Sequence, residues 1–309
     1  MKNMIKSILP ILLCGISVFS LSGCAKQRSD TIRIGVMYST DIIPLAIVQE
    51  QALDKKYDFK LDMQVFSSAK DRDAALQAGE LDAVYTDYIG VCIYQNAGLD
   101  VKITGETDGD YMFMAGKNSG IDTLADASGS SIAISENTLI DYTLDCILQS
   151  NGYASDYLRK ELVPRIPDRL EMLRGEKVEL GLFPDPFAAT ALSDGAKLLG
   201  SANAIGLYPA VSAFTQESID KKNDTIARFY IAYNEAIEYI NTTPIAEFED
   251  TIIDIAGYPE ELRGKIKLPT FRKNTLPSQA DLSNAIQWAS AKGLCKAELT
   301  PAQLLGKLD

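Results

Sequence analysis

The order of short apolar runs and amphipathic runs along the chain constrains its fold more than any other feature. Strand candidates at residues 32–36, 61–66 and 83–85 each precede a helix candidate, and further strand candidates lie at 101–104 and 111–115. The same order restarts after Gly120 with a strand candidate at 131–134. Alternating strands and helices predict an α/β protein, in which mostly parallel sheets carry helices on both faces.

A short internal repeat supports two similar lobes. Each copy contains an Asp-Arg pair, a Gly-Glu break and a strand that ends in an acidic residue, namely Asp71-Arg72, Gly79-Glu80 and Asp87, then Asp168-Arg169, Gly175-Glu176 and Asp185. The spacings differ by one or two residues, so a chance match is the alternative. Because ligands of open α/β sheets bind at the carboxyl ends of strands, the repeat predicts that Asp87 and Asp185 face one shared cleft.

The N-terminus has the pattern of a secreted lipoprotein. Lys2 and Lys6 precede an apolar run at residues 8–21, which is typical of a signal peptide over residues 1–23. The sequence Leu21-Ser22-Gly23-Cys24 resembles the bacterial lipobox, which implies cleavage before Cys24 and acylation of that residue. Residues 24–30 would then be the lipidated cysteine and a polar tether. An uncleaved anchor or a chance cysteine is the alternative.

Composition excludes several classes of function. The formal net charge of −12 argues against nucleic acid and against direct binding to an anionic bilayer. The chain contains no His, which removes the commonest general base and metal ligand, so we expect neither an enzyme, nor a metal, nor a cofactor. The cysteines beyond Cys24 are Cys92, Cys146 and Cys295, and they lack the spacing of a zinc site. We interpret them as small buried hydrophobes, with a single disulfide as the alternative.

The order of several motifs resembles the two-lobed periplasmic binding proteins for alkanesulfonates, taurine, nitrate and the thiamine pyrimidine precursor. The resemblance covers residues 31–240 and rests on Pro44-Leu45-Ala46, Phe66-Ser67-Ser68, the run at 71–76, Gly79-Glu80-Leu81-Asp82, the runs at 132–135 and 169–173, and Tyr233-Asn234. Each motif is loose, but their order is specific. The resemblance implies a type II periplasmic-binding-protein fold, a small-molecule ligand, and an ABC permease with its ATPase as partners.

The same resemblance implies two lobes joined by two hinge crossovers. With crossings near Ala115-Gly116 and Leu207-Tyr208, the outer lobe would hold residues 31–115 and 208–309, and the inner lobe residues 116–207. Ligand contacts to both lobes would stabilise a closed form that the permease recognises. We expect a monomer that is held at the outer surface of the cell membrane by the lipid on Cys24.

Polar loops after the strands supply the candidate ligand-binding residues. They are Tyr38, Ser39, Thr40, Asp41, Phe66, Ser67, Ser68, Asp87, Tyr88, Thr107, Asp108, Ser135, Glu136, Asn137, Thr138, Phe183 and Asp185. Hydroxyls, helix-start N–H groups and aromatic faces suit the reversible capture of a small polar ligand. As alternatives, Asp41, Ser135 or Asn137 would be helix N-caps and Ser67-Ser68 a chain turn.

Charge favours one class of ligand. These loops contain five carboxylates and neither Lys nor Arg, and a buried anion would need donors or cations. We therefore predict an aminopyrimidine or another N-heterocycle, with a sulfonate, taurine or nitrate as the alternative. Arg169 is the one residue that could reach an anion, although we expect it to form a surface salt bridge.

Three other classes of function compete with this interpretation. A methionine-type amino-acid-binding lipoprotein would need a cation for the ligand carboxylate, and none is obvious in the loops. A hydrolase could use paired carboxylates such as Asp41 and Glu136, but the sequence does not fix their separation. A surface sensor or adhesin would lack a ligand-gated hinge.

Overall fold

The computed structural model describes residues 30–308, which form two five-stranded sheets. The strands of this range are β1 (Thr31–Met37), β2 (Lys60–Phe66), β3 (Ala83–Asp87), β4 (Val101–Glu106), β5 (Tyr111–Ala115), β6 (Ser131–Ile134), β7 (Arg159–Leu162), β8 (Leu180–Pro184), β9 (Lys197–Ser201) and β10 (Ala210–Thr215). The strand order is β2-β1-β3-β10-β4 in the first sheet and β7-β6-β8-β5-β9 in the second. The predicted two-lobed α/β fold is confirmed, and we call each sheet with its helices the first and second lobe.

Helices cover both faces of each sheet. They are α1 (Ile43–Glu50), α2 (Leu53–Lys56), α3 (Ala69–Gln77), α4 (Tyr88–Asn96), α5 (Leu139–Ser150), α6 (Ile166–Arg174), α7 (Phe187–Ser193), α8 (Gln216–Thr242), α9 (Glu249–Ala256), α10 (Gln279–Ala291) and α11 (Pro301–Leu304). Short 3-10 helices span Thr40–Ile42, Leu124–Ala127, Asn203–Ile205, Ile245–Glu247 and Glu260–Leu262. Within residues 30–308, none of the helices combines the length and the hydrophobicity needed to cross a bilayer.

The two sheets share one topology. Three strands pair in parallel in each sheet, β2-β1-β3 in the first and β7-β6-β8 in the second. The fourth position holds an antiparallel strand, β10 or β5, which the chain enters directly after crossing from the other sheet. Helices α3 and α6 precede the equivalent strands β3 and β8. The two copies of the sequence repeat therefore occupy equivalent positions.

The chain changes sheets between Glu106 and Tyr111 and returns between Ser201 and Ala210. The predicted first crossing near Ala115-Gly116 is wrong by one strand, because Tyr111–Ala115 pairs with β8 and β9 of the second sheet. The sequence of an apolar strand does not reveal which sheet it will join, since the pairing partners are distant in the chain. The predicted return near Leu207-Tyr208 falls inside the second interval.

Three apolar clusters form the core of the protein. One lies between the first sheet and α1, α8 and α9, and a smaller one lies between the second sheet and α6 and α7. The third contains residues of α4, α5 and α10 and reaches both sheets, so the lobes share a continuous core on this side. Cys92 and Cys295 belong to this cluster, Cys146 packs against it, and all three are free thiols.

A buried polar cluster joins the second lobe to residues 243–308, which follow α8 and which we call the C-terminal segment. Asp141, in the first turn of α5, has a fully buried side chain. It accepts hydrogen bonds from Lys160 Nζ at 2.6 Å, from Lys292 Nζ at 2.8 Å and from the Asn137 backbone N–H at 3.1 Å. Burial favours a higher pKa for Asp141, but the two lysines outweigh it and lower the pKa below its ordinary value. Asp141 therefore stays ionised and fixes the loop before α5.

Candidate functional site

The carboxyl ends of the central strands of both sheets meet at one cavity of about 110 Å³. This volume is on the order of the roughly 150 Å³ cavity that admits a benzene ring in another protein. Its walls come from both lobes and consist of Met37, Tyr38, Ser39, Asp41, Ala69, Arg72, Tyr85, Thr86, Asp87, Tyr111, Ser135, Thr138, Leu139, Ile140, Pro164, Ile166, Arg169 and Pro184. A small solute in this cavity would contact both lobes at once.

Asp41 lies in the 3-10 helix that follows β1. Its carboxylate accepts hydrogen bonds from the hydroxyls of Ser39 and Thr107, the latter at 2.8 Å. Burial raises the pKa of Asp41, and the two hydroxyls lower it only in part. The alternative that Asp41 caps the next helix is wrong, because α1 begins at Ile43 without a side-chain cap.

Asp87 ends β3 and caps α4. Its carboxylate accepts a hydrogen bond from the Gly90 backbone N–H at 2.8 Å, which satisfies one free donor at the helix N-terminus. Burial raises the pKa of Asp87 to about 6, although the cap and the charge of Arg72 oppose that shift. A carboxyl group that changes its charge near pH 6 therefore lines the cavity.

Arg72, on α3, is a buried cation whose charge is already compensated. Its Nε and Nη2 donate to Asp73 at 2.9 and 2.8 Å, and its Nη1 donates to the Tyr85 carbonyl at 2.6 Å. Burial favours a lower pKa for Arg72, but Tyr94 and Asp73 outweigh it, so the pKa is raised. Its other N–H groups donate to the sulfur of Met37 and to the hydroxyls of Thr86 and Tyr94. The side chain therefore offers a ligand little net charge and few free donors.

Arg169, on α6, is a buried cation for which residues 30–308 supply no compensating charge. Only 1% of the residue is exposed, and its Nη1 donates to the carbonyls of Val163 and Pro164 at 3.2 and 3.3 Å. Its Nε has no hydrogen-bond partner within the part of the chain that the structure describes. Burial alone lowers the pKa of Arg169 to about 10. The predicted surface salt bridge of Arg169 is therefore wrong.

The two arginines occupy equivalent places in the lobes. Each is the fourth residue of its helix, and each is the arginine of one copy of the Asp-Arg repeat. Both line the same cavity. The repeat therefore indicates these two arginines, whereas the sequences of the loops after the strands do not contain them. The premise that the site contains no cation is wrong, because the arginines reach the cavity from helices.

Six of the predicted residues line the cavity, namely Tyr38, Ser39, Asp41, Asp87, Ser135 and Thr138. Tyr38 is 41% exposed, so its ring stands at the mouth. Thr138 is the N-cap of α5 and accepts a hydrogen bond from the Ile140 N–H, which excludes Ser135 and Asn137 as the cap. Contact of these residues with a ligand stays a prediction.

The other predicted residues lie around the cavity without lining it. Thr107 supports Asp41, Thr40 and Asp185 share hydrogen bonds with Tyr258, and Ser68 caps α3. Tyr88 and Phe183 are core residues, Phe66 is half-buried, and Ser67, Glu136 and Asn137 belong to the adjoining loops. Asp108 forms an ion pair with Arg272 Nε at 2.6 Å. The predicted cluster of five carboxylates therefore leaves only Asp41 and Asp87 on the cavity wall.

Comparisons with known proteins agree with this architecture. The family model described as NlpA lipoprotein matches residues 32–238. A putative ABC transporter periplasmic binding protein from Brachyspira hyodysenteriae is 23% identical over 269 residues, which cover 79% of this chain and 76% of the relative.

Two solved structures share the fold. The alkanesulfonate-binding protein SsuA from Xanthomonas axonopodis pv. citri, bound to MOPS, has a TM-score of 0.75 at 18% identity, over 90% of this chain and 98% of that chain. The periplasmic nitrate-binding protein NrtA from Synechocystis PCC 6803 has a TM-score of 0.69 at 12% identity, over 87% and 83% of the two chains.

Proposed function

Since this chain belongs to the NlpA lipoprotein family, we propose that it is the solute-binding component of an ABC importer. It captures a small solute with a carboxylate or sulfonate group in the cavity between its lobes. The relative from Brachyspira hyodysenteriae carries the name of an ABC transporter periplasmic binding protein, which supports the role in import. A permease and its ATPase would recognise the closed form.

Arg169 is the observation that carries the choice of ligand. A guanidinium that is removed from water without a carboxylate beside it is unfavourable unless something else compensates its charge. An anionic group in the cavity would do so, with hydrogen bonds to the unpaired Nε. Because the cavity contains this arginine, we propose an anionic solute in place of the aminopyrimidine, which we predicted from the absence of cations in the loops. It also agrees with the sulfonate and nitrate named for the two structural neighbours.

The carboxylates that line the same cavity favour a solute that is also an amine. Asp41 and Asp87 both have raised pKa values because they are buried, so each would gain a partner from a ligand ammonium group. Arg169 for the anionic group and these acids for the amine complement a zwitterion. We therefore propose an amino acid or an aminosulfonate as the solute. Arg169 supplies the protein cation for its anionic group, which the methionine-type interpretation lacked at the level of sequence.

Lipid anchoring through Cys24 is part of the proposal. The signal peptide and lipobox at residues 1–24 lie outside the described residues, so this part rests on the sequence pattern and on the family. Acyl chains on Cys24 would hold the protein at the outer face of the membrane. Mass spectrometry of the protein from its native membrane would detect the acylated Cys24 peptide, and an unmodified N-terminus beginning at Met1 would contradict it.

A thermal-shift screen of the purified chain from Lys26 onward tests the ligand class. Amino acids and aminosulfonates should raise the melting temperature, whereas an aminopyrimidine should not. A solute at about 100 times its dissociation constant adds roughly 2.7 kcal/mol to the free energy of unfolding. Stabilisation by the aminopyrimidine alone would contradict the proposal.

The affinity should depend on pH in a direction that reports the ligand's charge. Asp87, with a pKa of about 6, is mostly protonated at pH 5 and mostly ionised at pH 7.5. For a zwitterion we expect the affinity to rise roughly tenfold over this interval, because an ionised carboxylate is needed to pair with the ammonium group. Calorimetric titrations with L-methionine and taurine at both pH values measure the change.

The variant Asp87→Asn provides the matched control, because asparagine keeps the helix cap without the charge. It should bind the zwitterion more weakly and lose most of the pH dependence. Affinity that falls as the pH rises would contradict the amine part of the proposal and would favour a simple anion.

A further inference from the structure

The turn at Gly257 and Tyr258 follows α9 and lies outside the part of the chain that matches the family model. Gly257 has a φ of +79°, and a Cβ atom at this position would lie 2.7 Å from Cδ1 of Tyr38. Its backbone therefore packs directly on the ring of a residue that lines the cavity mouth. Glycine is required here both for its conformation and for this close approach.

Tyr258 connects the two lobes beside the same mouth. Its side chain is buried, and its hydroxyl lies 2.8 Å from Thr40 Oγ1 of the first lobe and 3.3 Å from Asp185 Oδ2 of the second. A phenol has one proton, so it donates to the carboxylate of Asp185 and accepts from the hydroxyl of Thr40. Thr40, the donor, belongs to the first lobe and Asp185, the acceptor, to the second, so the Tyr258 hydroxyl links the two lobes.

We propose that Tyr258 is a positioning residue that fixes the Tyr38–Asp41 loop and holds the two lobes together at the cleft mouth. It controls how far the lobes separate and how long a captured solute stays. The part of this inference that concerns the solute rests on the proposed function, whereas the part that concerns the lobes does not. In both, Tyr258 acts through Thr40 and Asp185 and does not itself line the cavity.

Other contacts of the C-terminal segment support this role. Arg272 donates to Asp108 in the first crossover, and its guanidinium lies over the ring of Tyr208 in the second, 3.8 Å from the ring centroid. Trp288 donates through its indole N–H to Asp145 on α5 of the second lobe at 2.9 Å. One segment therefore contacts both crossovers and the second lobe. Tyr258 adds a contact to Thr40, which lies between the cavity residues Ser39 and Asp41.

The test measures the separation of the lobes without any ligand. Spin labels at Gln77→Cys on α3 and Glu171→Cys on α6, both exposed, report the distance between the lobes by pulsed electron resonance. The half-buried Cys146 is replaced by alanine in this background. In Tyr258→Phe we expect the main distance to lengthen by several ångström, while a cooperative melting transition shows that the variant is folded. Tyr239→Phe, on the outer helix α8, should leave the distance unchanged.

Binding kinetics give the second readout. With L-methionine as the probe, Tyr258→Phe should raise the dissociation rate about tenfold and change the association rate little, because a hydrogen bond to a carboxylate is lost only from the closed form. If wild-type protein binds none of the screened solutes, the proposed function fails while the ligand-free distance still tests Tyr258. An unchanged distance distribution, or an equal shift in Tyr239→Phe, would overturn the inference.

Discussion

Replacement of Arg169 by methionine should remove ligand binding without lowering the stability of the free protein. The loss of one partner of a buried, hydrogen-bonded charge pair costs about 2–5 kcal/mol, which corresponds to a loss of affinity of roughly 30-fold to a few thousand-fold. The ligand-free protein should melt at the same temperature or higher, because the variant no longer buries an uncompensated guanidinium. Calorimetry measures the affinity, and scanning calorimetry measures the melting temperature.

Arg174 on the same helix provides the matched control. It is exposed and forms ion pairs with Glu171 and Asp194 at the surface, so Arg174→Met should leave the affinity unchanged. Retention of binding in Arg169→Met would show that Arg169 does not bind the anionic group. Equal loss of binding in both variants would point to a general effect on α6 instead.

Replacement of Asp141 by alanine should give the largest loss of stability. The variant removes the fully buried partner that Lys160 and Lys292 share, leaving Asp145 as their remaining partner, and it removes the acceptor of the Asn137 N–H. Breaking a buried ion pair by removing one partner costs about 3–5 kcal/mol. Because Asp141 also fixes the loop that carries Ser135 and Thr138, we expect weaker ligand binding as well. Urea denaturation measures the free energy of unfolding.

Asp250 offers a surface comparison for Asp141. Its ion pair with Arg263 is exposed, and Asp250→Ala should change the free energy of unfolding by less than about 1 kcal/mol. If Asp141→Ala were equally mild, the cluster with Lys160 and Lys292 would not stabilise the junction between α5 and the C-terminal segment.

The fold could be predicted from the sequence because it depends on local patterns. Apolar runs in a regular order define β1, β2, β3 and β6, and the repeat locates α3 and α6. Strand β7, with the sequence Arg-Lys-Glu-Leu, was not predicted, because it lies at an exposed sheet edge and lacks apolar alternation. The sheet to which β5 belongs depends on pairing with residues 65 to 89 positions away, from Ala115↔Leu180 to Met112↔Ser201, which no local pattern encodes.

The site was harder to predict than the fold. Asp41 and Asp87 follow strands in the sequence, and both line the cavity because strand ends converge in this architecture. The sequence could not reveal that Asp108 is neutralised by Arg272, because 164 residues separate them. Nor could it show that Arg169 is buried, since an arginine at a helix start is usually solvated. These two errors led to the aminopyrimidine hypothesis.

The central claim is that Arg169 holds an anionic group between the lobes. Its most direct test compares L-methionine with L-methioninol by calorimetric titration of wild-type protein and of Arg169→Met. The two probes differ in the carboxylate, which methioninol replaces by a neutral alcohol. We expect wild-type protein to bind only the carboxylate and the variant to distinguish the two probes poorly. Equal binding of both by wild-type protein, or an undiminished preference for the carboxylate in the variant, would contradict it.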